Sequence, residues 1–122
     1  MPAAYHVIIA EDDVAVRTIV ARVVARTYAA VTISTASNGL EALSIYTQRG
    51  ADLVISNHDM PALSGLALIE RLRILSATLP IIIISGNPTI EAPARARGAT
   101  EFLTKPFTIA QLENLLTRVL PP

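Results

Sequence analysis

Three acidic residues stand together at Glu11-Asp12-Asp13, directly after the apolar block Val7-Ile8-Ile9-Ala10. A second apolar block, Leu53-Val54-Ile55, ends abruptly in Ser56-Asn57-His58-Asp59 and a Met-Pro turn. A third, Ile81-Ile82-Ile83-Ile84, runs into Ser85-Gly86, and a fourth, Phe102-Leu103, into Thr104-Lys105-Pro106. Acids, an amide, a hydroxyl and a lysine thus each follow a short buried stretch. If those stretch ends meet, the chemistry of the place is ion binding. Asn57 is the odd member, because a carboxylate there would be the more reactive choice.

Short apolar runs rich in β-branched residues suit strands buried on both faces. Val7–Ala10, Leu53–Ser56, Ile81–Ile84 and Glu101–Leu103 read this way. Val31–Thr35 alternates apolar and polar, as expected of a strand near a sheet edge. Helical rhythm fills the gaps at Val14–Thr27, Leu40–Gln48, Leu66–Leu75, Thr89–Arg97 and Thr108–Leu120. The first helix should turn Val16, Ile19, Val20, Val23 and Val24 inward and leave its arginines on a solvated face. Leu40 and Leu43 should face inward on the second helix, and Leu68, Ile69, Leu72 and Leu75 on the third. Pro93 either starts the fourth helix in its first turn or distorts it, since an interior proline costs about 3 kcal/mol. Strands alternating with helices imply a parallel sheet covered on both faces. Sites in such sheets lie beyond the carboxyl ends of the strands. All the polar residues above would then gather at one end.

Composition narrows the function classes. The chain has 122 residues, enough for one domain with a sizeable core, and 52% are hydrophobic. No apolar run approaches the ~18 residues that span a bilayer, and no secretory leader is legible, so a soluble, cytoplasmic location is expected. Ten basic residues balance ten acidic ones, which argues against nucleic-acid binding by this surface. There is no cysteine, so disulfides and thiolate metal sites are excluded.

In this order on these elements, the acidic pair, DLVIS-N-HDMP with Gly65 after it, Ser85-Gly86 and Lys105-Pro106 resemble the receiver (CheY-like) domain of bacterial two-component response regulators. The resemblance covers nearly the whole chain, as one receiver domain over residues 1–122 with a core of about 6–119. It implies a flavodoxin-like (βα)5 fold, with a five-stranded parallel sheet of order 2-1-3-4-5 and helices on both faces. In the family an aspartate at the end of the third strand accepts a phosphoryl group from a histidine kinase. Carried over by position, Glu11 and Asp12 hold Mg²⁺, with Asp59 behind them or supplying its backbone carbonyl. Ser85 and Lys105 bind phosphoryl oxygens, and Phe102 is the aromatic that changes rotamer on activation. Mg²⁺ is commonly held by one or two carboxylates with phosphate and water, and a lysine neutralises phosphate as a point charge.

The acceptor position falls on Asn57. An amide carries no negative charge and cannot replace a carboxylate as nucleophile. Mg²⁺ becomes a possible but weakened cofactor, and no catalytic residue or enzymatic activity is expected. The expected function is a phosphorelay receiver that acts through contacts with a histidine kinase or other signalling protein. It would have no nucleic-acid or membrane partner and would be a monomer or weak dimer. Three origins of Asn57 compete: a naturally degenerate receiver, an ordinary one whose aspartate has been replaced, and one in which Asp59 or His58 accepts the phosphoryl group. A flavodoxin-like ligand-binding domain is the reading from another class, disfavoured because no phosphate-binding loop follows the first strand.

Simpler roles stand beside these. Glu11, Asp12 and Asp13 can cap the first helix, and Ser85 can satisfy a local backbone group. Lys105 should form a buried ion pair with Asp12 or Glu11. Phe102 can be a packed aromatic, His58 and Asp59 residues of the pocket rim, and His6 a structural or exposed residue. The proline-interrupted fourth helix argues against a family-type dimer on that face.

Overall fold

The structure, a computed structural model, describes residues 4–122. Five strands alternate with five helices: β1 (Ala4–Ala10), α1 (Val14–Thr27), β2 (Ala30–Ala36), α2 (Gly39–Arg49), β3 (Leu53–Asn57), α3 (Gly65–Leu75), β4 (Ile81–Ser85), α4 (Glu91–Arg97), β5 (Glu101–Thr104) and α5 (Ile109–Val119). The strands form one parallel sheet of order β2-β1-β3-β4-β5. The expected fold is the observed one. β2, the alternating strand, lies at an edge, and no helix among the described residues is long and apolar enough to cross a membrane.

Successive strand side chains point to opposite faces, so each strand feeds two cores. Val7, Ile9, Leu53, Ile55, Ile82 and Ile84 pack under α1 and α5, with Val20, Val24, Leu112 and Leu116. Ile8, Val54, Ile81 and Ile83 pack on the other side with Leu68, Ile69, Leu72, Ala94 and Phe102. This is why the central strands are apolar without alternation. The strand register brings their carboxyl ends level. Ala10 lies beside Ser56, Asn57 beside Ile84, and Ser85 beside Thr104.

Three inward assignments are corrected. Ile19, Leu40 and Leu75 are 46%, 49% and 52% exposed. Each lies at the margin of its helix's apolar stripe and stays open to solvent. Pro93 sits in the first turn of α4, where its missing N–H costs no intrahelical bond. A 3₁₀ turn at Pro88–Ile90, capped by Asn87, leads into it. His6 is structural: Nδ1 lies 2.8 Å from the Gly50 carbonyl and Nε2 2.7 Å from Ser34 Oγ. The carbonyl can only accept, so Nδ1 carries the proton.

Tyr28 contributes a tie that the sequence pattern does not signal. Its hydroxyl donates to the carbonyls of Leu120 at 2.8 Å and Leu116 at 3.2 Å, fastening the end of α5 to the end of α1. Burial, helped by Tyr5, pushes the phenol up to about 12 from 10.0. The neutral form is favoured in the folded chain, so this stabilisation is complete below pH 10 and is lost as pH rises towards 12. Tyr28→Phe should cost about 0.5–1.5 kcal/mol in denaturant unfolding at neutral pH. It should also flatten the alkaline fall in stability.

Candidate functional site

The three acids after β1 divide their labour. Asp13 is the N-cap of α1, its Oδ1 accepting from the N–H groups of Ala15 and Val16 at 2.8 and 3.2 Å. That leaves Glu11 and Asp12 for the strand ends. The Glu11 side chain turns inward, 4% exposed, and its Oε2 accepts the Asp13 N–H at 3.1 Å. Arg17, expected on the solvated face, instead donates to the Glu11 carbonyl at 3.0 Å.

β3 delivers Asn57 to the middle of the sheet's carboxyl edge, where it is buried. Its Nδ2 donates towards three oxygens: Asp59 O at 2.8 Å, Glu11 Oε2 at 3.2 Å and Asp12 Oδ1 at 3.4 Å. Its Oδ1 accepts from Lys105 Nζ at 3.2 Å. Lys105 Nζ also reaches Glu11 Oε1 at 3.1 Å. Only this orientation of the carboxamide satisfies every partner, since the reverse would set an NH₂ against an ammonium and an oxygen against three oxygens.

Glu11, Asp12, Asn57 and Lys105 therefore meet in one network, with Asp59 present through its carbonyl while its side chain is exposed. The charged partner of Lys105 is Glu11, and the neutral amide oxygen of Asn57 is a second acceptor. Ser85 is buried beside the network, but its Oγ accepts the Asn87 N–H at 3.0 Å. Only its carbonyl meets Lys105, taking the backbone N–H at 2.9 Å. Phe102 is buried in the core under α3 and α4. His58 lines the rim of a cleft of about 280 Å³ with Asp12, Asp59 and Ser64.

Burial raises the Glu11 carboxyl above its ordinary value, against the pull of the Asp13 N–H and Lys105. Asp12 is held below the usual carboxylate range, first by the neighbouring Glu11 carboxyl. Two carboxylates and a carbonyl make an oxygen set of the kind that suits Mg²⁺. The point on which they converge, however, holds an N–H donor. As arranged, the residues do not fit a resident divalent cation.

The model of the response regulator receiver domain matches residues 7–117. The chain belongs to the response regulator receiver family. It is similar to the DNA-binding transcriptional regulator NtrC of Escherichia coli strain K12, 31% identical over 114 residues, covering 92% of this chain and 24% of NtrC. It is also 34% identical over 85 residues to the sensor histidine kinase RcsC of the same strain, covering 68% of this chain and 9% of RcsC. The chain thus spans about a quarter or less of these relatives. Among solved structures, chemotaxis response regulator CheY4 of Vibrio cholerae superposes with a TM-score of 0.86 at 29% identity, over 97% of this chain and 100% of CheY4. The receiver domain of NtrX from Brucella abortus gives 0.85 at 30% identity, over 93% and 97%.

The end of β3 at Asn57 and the turn after it depend on Gly65, the first residue of α3. A Cβ there would lie 2.8 Å from both Asn57 O and His58 Cα. These are backbone atoms of the strand end and cannot swing aside. Alanine is the better helix former by about 1 kcal/mol, but forcing an atom into packed backbone outweighs that. Gly65→Ala should destabilise by a net of about 1–3 kcal/mol in urea unfolding. The resonances of Asn57 and His58 should shift with it.

Proposed function

We propose that the chain is the receiver module of a two-component phosphorelay in which Asn57 occupies the phosphoacceptor position, and that it signals through protein contacts without being phosphorylated there. The observation that carries this reading is the placement of the Asn57 carboxamide at the end of the central strand, between the acidic pair and Lys105 Nζ. Forming an acyl phosphate needs a carboxylate oxygen to attack phosphorus, and an amide offers neither the charge nor the lone-pair reactivity. Asp59 is a poor substitute, because its carbonyl, not its exposed carboxylate, enters the network. The contacts of the Glu11, Asp12 and Lys105 side chains with Asn57 support giving them the family's metal- and phosphate-binding positions. This equally suits a natural loss and a replaced aspartate.

The partner is a histidine kinase or another signalling protein. An apolar groove of about 410 Å³ is lined by Val16, Ile19, Lys105, Pro106 and Phe107, and Ile19 is exposed there. Lys105 belongs to both groove and polar network, so a kinase seated on this face would sense the state of the strand ends. The face of α4, β5 and α5 is less suited to self-association. Its charges pair within the chain, Arg95 with Glu91 at 3.0 Å and with Glu101 at 3.3 Å, and Arg118 with Glu101 at 3.4 Å. This favours a monomer or weak dimer. The relatives' names include a transcriptional regulator and a kinase, so an output through DNA is a matter for segments beyond this domain.

Incubation with acetyl phosphate and MgCl₂ should leave the intact mass unchanged. Asn57→Asp should gain one phosphoryl mass, labile to hydroxylamine. An adduct on the unsubstituted chain would overturn the reading and point to Asp59 or His58. Ile19→Asp should weaken kinase capture by about tenfold or more, the cost of a charge in an apolar contact.

A further inference from the structure

In this pocket the position of a cation is taken by a side chain. The Asn57 NH₂ group lies within hydrogen-bonding distance of Glu11 Oε2, Asp12 Oδ1 and Asp59 O, while the other end of the same amide faces the Lys105 ammonium. Three oxygens from two separate loops thus converge on a donor carrying partial positive charge. Without such a donor, two carboxylates and a carbonyl would face one another, offset by Lys105 on one side and by the Asp13 N–H at Glu11.

We propose that the Asn57 carboxamide is a built-in substitute for a divalent cation, which makes this strand-end site complete and ordered without metal and keeps metal out. The exclusion is steric and electrostatic together. A cation reaching the three oxygens must displace the NH₂ group, and rotating the amide to offer Oδ1 would turn its N–H groups onto Lys105 Nζ. The function of the amide is to tie the loop after β1 to the loop after β3, and both to Lys105 after β5. This holds whether or not any group in the chain ever accepts phosphate.

The test is metal binding by three proteins: the unsubstituted chain, Asn57→Ala and Asn57→Asp. MgCl₂ and MnCl₂ are the probes, and thermal unfolding and calorimetric titration the readouts. The unsubstituted chain should show no saturable binding and no rise in Tm. Asn57→Ala vacates the point of convergence without adding a ligand, so it should lose stability in chelator and recover part of it with MgCl₂. Asn57→Asp should bind at least about tenfold more tightly than Asn57→Ala, because it adds a third anionic ligand. Should either variant fail to fold, the side-chain NH₂ resonances of Asn57 in the unsubstituted chain decide. The proposal expects slow solvent exchange and no movement on adding MgCl₂. Saturable Mg²⁺ binding by the unsubstituted chain would overturn it. So would an Asn57→Ala protein that folds but ignores the metal, or Asn57 protons that exchange freely.

Discussion

Glu11 brings a carboxylate into the end of a sheet in which β3 and β4 are entirely buried, and the pairing of that carboxylate with Lys105 governs the pocket. Taking a carboxylate out of water is costly unless it is paired and hydrogen-bonded. Glu11 meets this cost with Lys105 at 3.1 Å, the Asp13 N–H at 3.1 Å and the Asn57 amide at 3.2 Å. Each partner arrives from a different element: α1's N-terminus, the end of β3 and the end of β5. The level strand register is what allows them to meet. Asn57 is the hinge of the arrangement, because only a group with a donor at one end and an acceptor at the other can join the acids to the lysine. An aspartate in the same place would serve Lys105 but repel Glu11 and Asp12 unless a cation intervened.

The contacts in the pocket are those of a cross-link: one carboxamide joins Glu11, Asp12 and the Asp59 carbonyl to Lys105. The apolar groove beside Lys105 gives the cross-link a route outwards, since any partner pressing on Pro106 and Phe107 presses next to it. Elsewhere, Arg95, Glu101 and Arg118 bind α4, β5 and α5 into one charged surface. Arg73 adds to the fastening of α4, its guanidinium donating twice to the Gly98 carbonyl where α4 ends. The two faces of the domain thus differ in kind, one open and apolar, the other closed by its own ion pairs.

Much of this was legible in the chain itself, because its signals are short-range. β-branched runs marked the strands, and helical rhythm between them marked the helices. The convergence of Glu11, Asp12, Asn57 and Lys105 followed from the rule that parallel strands end on one edge. What sequence could not supply was orientation. Ile19, Leu40 and Leu75 sit at the edges of apolar stripes, and only packed neighbours decide which edge stays wet. Arg17 and Tyr28 act through side-chain hydrogen bonds to backbone carbonyls, one to Glu11 and two to Leu116 and Leu120, which leave no periodic trace. The direction of the Asn57 amide is of the same kind: its type was plain, but its role depends on which end meets the acids.

The measurement that bears most directly on this account is the double-mutant cycle joining Asn57 to Lys105, through Asn57→Ala, Lys105→Met and the double substitution, read by denaturant unfolding without divalent metal. If one carboxamide links the acids to the lysine, the two losses should be coupled by about 0.5–3 kcal/mol. Losses that simply add, to within about 0.3–0.5 kcal/mol, would contradict it and reduce Asn57 to a bystander in the pocket.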